Sequence, residues 1–235
     1  MIDLDLPELT STPVDLRLDE RLTRHSAPGS GAPAAPPVLG GRVALGGPIA
    51  AKVSNALVQK DPELAAFVES QPATSRYMLL HLSVTFMGAE DDPPLDTASV
   101  EFAMDGGTGT APIAWSMTPS LVTRASQVSQ TLKVGPQLKF FGAEVGGLGV
   151  ERSRSHQSDE VFLEALRELR SDPAWEFSRT RFDELRGSHR LAMIAHAPAG
   201  TTARAEVTVR ANVRLRRVFS YSAPLPDPIQ LSFDF

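Results

Sequence analysis

From Tyr77 onward the chain changes character at every second residue. Met78, Leu80, Leu82, Val84 and Phe86 place apolar side chains on one side of an extended segment, and Ala98, Val100, Phe102 and Met104 repeat the arrangement. A period of two is the signature of a β-strand, whose successive side chains point to opposite faces. The intervening 88–96, GAEDDPPLD, is a turn, so the two segments read as an antiparallel pair. The clearest alternation comes late: Val207, Val209, Ala211, Val213 and Leu215 are interleaved with Glu206, Thr208, Arg210, Asn212, Arg214 and Arg216. One dry face and one wet face mark an antiparallel sheet rather than a parallel one buried on both sides. Further strands are expected at 112–117, 121–134, 137–150, 175–180 and 189–196, where Pro or Gly end several of the runs.

Three segments switch to helical spacing. Pro48 precedes Ile49, Val53, Ala56 and Leu57, and Asp61-Pro62-Glu63 supplies a cap, a first-turn proline and an acid ahead of Leu64, Phe67 and Val68. Within 158–170, Ser158-Asp159 offers a cap, Phe162, Leu166 and Leu169 share a face, and Glu164 and Glu168 sit beside Arg167 and Arg170. The expected fold is therefore mainly β: an antiparallel β-sandwich with two short N-terminal helices and one inserted amphipathic helix.

Composition refines the boundaries. Residues 26–37, SAPGSGAPAAPP, have too little apolar surface to order themselves, so 1–37 reads as a flexible segment and linker. Residues 38–222 read as one β-rich domain and 223–235 as a tail with a terminal strand behind the spacer APLPDP. A formal net charge of −5 gives no global attraction for phosphate backbones or anionic lipid, so neither nucleic acid nor membrane is an expected partner. The chain has no cysteine, which excludes disulfides and thiolate chemistry. Its acidic start, Met1-Ile-Asp-Leu-Asp-Leu, is unlike a secretory signal, so a cytoplasmic location is expected. Only Lys52, Lys60, Lys133 and Lys139 are lysines, against an arginine majority, a bias expected of a GC-rich bacterial genome.

Candidate chemistry is sparse. His189 and His196 are an odd number of residues apart and fall on opposite faces of one strand, which prevents joint metal coordination. His81 reads as a surface or hydrogen-bonded core residue. There is no G-x-S-x-G, and the doublets Gly40-Gly41 and Gly46-Gly47 are not followed by the G-K-[ST] of a phosphate loop. Glu90, Asp91, Asp92 and Asp96 are hard oxygen ligands without calcium-loop spacing and read as a solvated turn. No cofactor, metal site or catalytic residue is expected.

The ends are more informative. Ile2, Leu4 and Leu6 alternate at one terminus, and Ile229, Leu231, Phe233 and Phe235 at the other. Such a segment can pair with a sheet edge, its own or another protein's. Arg210, Arg214 and Arg216 share a strand face that could meet an acidic partner, or simply form a wet sheet face beside Glu206. The leading expectation is a non-catalytic protein-interaction or scaffold module docking through terminal strands, with another protein or a second copy as partner. Two alternatives remain. One is an enzyme assembled from dispersed parts such as His81, His189, Asp183, Glu184 and Ser188. The other is a pore-forming protein using the Ser/Thr/Gln-rich 118–134 as a hairpin.

Overall fold

The computed structural model describes residues 9–19, 24–25, 39–53, 66, 69–70, 75–88, 93–107, 109–123, 160–181, 183–215 and 219–235. Among these residues the alternating segments pair into two antiparallel sheets. One sheet orders β1 (Ser11–Val14), β3 (Val43–Lys52), β4 (Ser75–Phe86), β10 (Gly187–Pro198) and β6 (Ile113–Thr118). The larger one orders β2 (Arg24–His25), β12 (Phe219–Pro224), β11 (Thr202–Leu215), β5 (Leu95–Asp105), β9 (Ala174–Ser178), β8 (Val161–Leu166) and β7 (Leu121–Thr123), with β13 (Ile229–Asp234) also paired to β11.

The core lies between the sheets, because each strand turns its apolar alternation inward. Met78, Leu80, Leu82, Val84 and Phe86 of β4 join Val100 and Phe102 of β5, Trp175 and Phe177 of β9, and Val207, Val209, Ala211 and Val213 of β11 in one cluster. Phe86 meets Phe177 edge to face across the sheets, with ring centroids 5.0 Å apart. The indole N–H of the fully buried Trp175 donates to the Pro119 carbonyl at 3.0 Å, which satisfies its one polar group. Every residue of β4 from Met78 to Val84 is buried, so this central strand is covered on both faces, unlike a simple one-sided strand.

Two expected helices are strands where they are described. Pro48 and Ile49 belong to β3, in which Gly46 opposes Ser83 and Ile49 opposes His81, so the register slips at a bulge. Glycine is required there: Gly47 has φ of 82°, and a Cβ on Gly46 would lie 2.9 Å from the Leu9 Cβ. The doublet Gly46-Gly47 is part of a sheet bulge. Likewise 158–170 contains no helix among its described residues. Val161–Leu166 is β8, with Leu163 opposite Phe177 and Ala165 opposite Trp175. Burial against those rings outweighs a helix preference worth only tenths of a kcal/mol per residue.

The turn after β8 is equally unhelical. Arg167 and Leu169 adopt left-handed φ of 60° and 63°. Leu169 N–H donates to the Ala114 carbonyl at 2.8 Å and Ala114 N–H to the Arg170 carbonyl at 2.9 Å, tying the large sheet to β6 of the other. Asp172 clamps this turn, with its carboxylate within 3.4 Å of Arg167 Nε and 3.2 Å of Arg170 Nε. Of the residues expected to be helical around 53–57 and 61–68, only Val53 and Ala66 lie within the described residues; Val53 directly follows β3, while Ala66 is helical, as are Glu69 and Ser70 just beyond.

The opposite side is closed by residues expected to be a flexible N-terminal segment. β1 pairs with β3 from Ser11 opposite Gly46 to Val14 opposite Val43. The chain then crosses to the larger sheet, where Arg17 N–H and Asp19 N–H donate to the Pro224 and Ser222 carbonyls at 3.2 and 2.9 Å. No described helix is long and apolar enough to cross a membrane.

Candidate interaction surface

The C-terminal alternation is built into the fold on one side. β13 pairs antiparallel with its own β11, from Ile229 opposite Val207 to Asp234 opposite Thr202. Phe233 and Phe235 are buried with their rings 5.4 Å apart, and Ile229 and Leu231 pack against the same core. The apolar residues singled out as partner-binding therefore face inward.

The backbone of β13 has a second side. Phe235 N–H donates to the Thr201 carbonyl at 3.0 Å, so its main chain points toward β11. Main-chain groups alternate along a strand, which directs those of Phe233, Leu231 and Ile229 the same way and those of Gln230, Ser232 and Asp234 outward. No strand among the described residues pairs with that outward edge. β12 and β13 succeed one another along the same edge of β11, and the N-terminal segment pairs with β12, while no described strand pairs with the outer edge of β13. Gln230 Nε2 donates to Glu206 Oε1 at 3.0 Å and Thr202 Oγ1 to Asp234 Oδ1 at 2.8 Å, so the wet side of β13 is stitched to β11.

Arg210 lies on the wet face of β11, opposite Ser99 on one side and Pro224 on the other. The same cross-sheet row continues through Glu176 to Glu164. An isolated basic strip is thus absent at Arg210, since carboxylates share its row. Arg210 Nε is buried without a hydrogen-bond partner. Arg214 opposes Ser220 in the backbone, and Arg216 lies outside the described residues.

The histidines do not converge. His189 faces inward among Phe86, Phe162 and Phe177, with ring centroids 5.7, 5.3 and 5.3 Å away, and its Nε2 lies 3.1 Å from the Arg186 carbonyl. His81 is 2% exposed on the opposite face of β4 and neither ring nitrogen has a hydrogen-bond partner, contrary to the expectation of a surface or hydrogen-bonded residue. Ser188 opposes Thr85, four positions along β4 from His81, or roughly 13 Å at strand rise. Glu184 is engaged by Arg186 at 2.6 Å and Arg179 at 3.9 Å, and Asp183 caps a turn with Thr180. His81 thus stands apart from Ser188 among the dispersed parts offered for an enzyme. Glu90, Asp91, Asp92 and 124–134 of the expected hairpin lie outside the described residues.

One arrangement had no sequence signal. β6 opposes Ile194 with Ser116 but Ala195 with Ala114, so Trp115 is the extra residue of a bulge. Ala114 and Met117 remain in the core, and Trp115 turns to the other face, 5.6 Å from His196 and 6.1 Å from Tyr77.

Burial lowers the proton affinity of His189 and His196, and burial together with Arg190 lowers that of His81, while the bond to the Arg186 carbonyl partly offsets the effect at His189. A histidine in the unfolded chain titrates near pH 6.5. The unfolded state therefore binds more protons as pH drops, so stability present above about pH 6.5 is lost below it. Urea midpoints are expected to decline from pH 7 to pH 5, with a shallower decline in His189→Leu; equal slopes would remove His189 from this linkage.

No protein-family model matches the chain, and no curated protein matches it in sequence.

Proposed function

We propose that the protein is a non-catalytic interaction module that recruits an extended segment of another protein to the outer edge of β13. The observation that carries this reading is the row of outward main-chain groups at Gln230, Ser232 and Asp234, with which no described strand pairs. An added strand would gain ladder hydrogen bonds there and continue the eight-stranded sheet, with side-chain alternation selecting the sequence. Docking through the terminal strand thus means docking onto it, because its apolar residues are already spent on its own core.

Ser232→Pro tests this edge. Proline removes the outward N–H without breaking a bond to β11, a substitution that edge strands tolerate. Tagged chains expressed in cells of the source organism are expected to retain partners with wild type and lose them with Ser232→Pro, at matching circular dichroism. Equal recovery of the same partners by both would overturn the proposal.

A further inference from the structure

A single short stretch closes the edges of both sheets on one side of the molecule. β1 lies against β3, residues 17 and 19 bond to β12, and β2 continues along β12 with His25 opposite Phe219 and Arg24 opposite Ser220. Its hold on the body is slight. Ser11, Thr12 and Pro13 are exposed, Val14 and Leu18 are half-buried, and Leu16 alone between Leu9 and Asp19 is fully buried. Beyond these apolar contacts and a bond between the Ser11 and Ser83 hydroxyls at 3.3 Å, the described attachment is main-chain hydrogen bonding to strand edges, which a second copy offers equally.

The connection back to the body is permissive. His25 is joined to Leu39, a core residue, by the thirteen residues SAPGSGAPAAPPV. That length reaches up to about 45 Å when extended. Four of the thirteen are prolines and two are glycines, and Val38 is their one apolar side chain larger than alanine or proline.

We propose that β1 with residues 15–19, together with β2, is an exchangeable strap, which can leave β3 and β12 of its own chain and dock on the same two edges of a second copy. Exchange conserves every strap contact, because the acceptor edges in the partner are identical, so the dimer differs from the monomer chiefly in how the linkers run. The occupant is a second copy because the strap matches these edges by construction: Pro13 with Ala44, Val14 with Val43, and Leu16 in its core site. A tether of this length holds its own strap at an effective concentration in the millimolar range, so exchange becomes visible as protein concentration approaches about 1 mM. This surface is distinct from the β13 edge, and either can fail without the other.

The absence of cysteine makes the test clean. Full-length Pro13→Cys and Ala44→Cys chains, which carry one thiol each at opposed positions of the β1–β3 pair, are mixed and oxidised in a glutathione buffer. Mixed disulfide dimers are expected to outnumber Pro13→Cys homodimers at least tenfold, with a yield that rises with protein concentration. The doubly substituted chain, oxidised first when dilute, is expected to close within itself and then stay monomeric. Mixed dimers no more abundant than homodimers at every concentration would overturn the proposal, as would failure of the double variant to close, which would remove β1 from its place on β3.

Discussion

A chain lacking residues 228–235 is expected to lose cooperative folding, or to melt with a loss of at least about 5 kcal/mol. The deletion removes the buried Phe233 and Phe235, the half-buried Ile229 and Leu231, and a ladder of six opposed residues along β11. Truncating one buried aromatic to alanine costs about 3–5 kcal/mol, and two are lost here together with their ladder. The whole stability of a domain is about 5–15 kcal/mol. Ala203 and Ala205, fully buried opposite Phe233 and Leu231, would be uncovered. Urea denaturation followed by circular dichroism measures this, and a truncated chain with an unshifted midpoint would show that β13 contributes nothing to the core. Deletion is consequently the wrong probe of partner binding, and Ser232→Pro is the right one.

Trp175→Ala is expected to destabilise the chain by about 3–5 kcal/mol. Trp175 is completely buried, stands 6.1 Å from Phe102 ring to ring, and opposes Val100 and Ala165 on the two flanking strands. Its loss opens a void and leaves the Pro119 carbonyl without its indole donor, at the point where the chain passes from β6 to β7. Trp175→Phe keeps most of the volume but not the hydrogen bond, and should cost roughly 1–2 kcal/mol, within the range of a lost bond plus imperfect packing. Equal midpoints for wild type and Trp175→Ala would contradict the placement of this ring between the sheets.

The strands legible in the sequence are those that alternate strictly. β4, β5 and β11 each carry four or more apolar residues at period two, and these line the core. β8 was hidden because Phe162, Leu166 and Leu169 coincide with helical spacing and the flanking Glu and Arg residues suit a helix. Its partners Phe177 and Trp175 are far enough along the chain that no local window contains them. β3 was hidden by Gly46-Gly47-Pro48, which punctuates a sequence like a helix start but here makes a bulge. β1 and β2 are too short and too polar to signal at all, and exist because edges of β3 and β12 need covering.

The candidate surface was half legible. The alternation of Ile229, Leu231, Phe233 and Phe235 announced a strand, yet nothing in it distinguishes pairing with β11 from pairing with another protein. That choice is made by Ala203, Ala205 and Val207, whose small inward side chains lie opposite the tail's larger ones. Position Trp115 was illegible for a different reason: a bulge re-aims a side chain without altering the residues around it.

The most direct test is residue-resolved amide hydrogen exchange along β13 in the isolated full-length chain. Ile229, Leu231 and Phe233, whose N–H groups point to β11, are expected to exchange slowly, while Gln230, Ser232 and Asp234 exchange at least tenfold faster. Uniformly slow exchange would mean that the outer edge is already occupied, uniformly fast exchange would mean that the strand is not docked, and either result would contradict a terminal strand held on one side and open on the other.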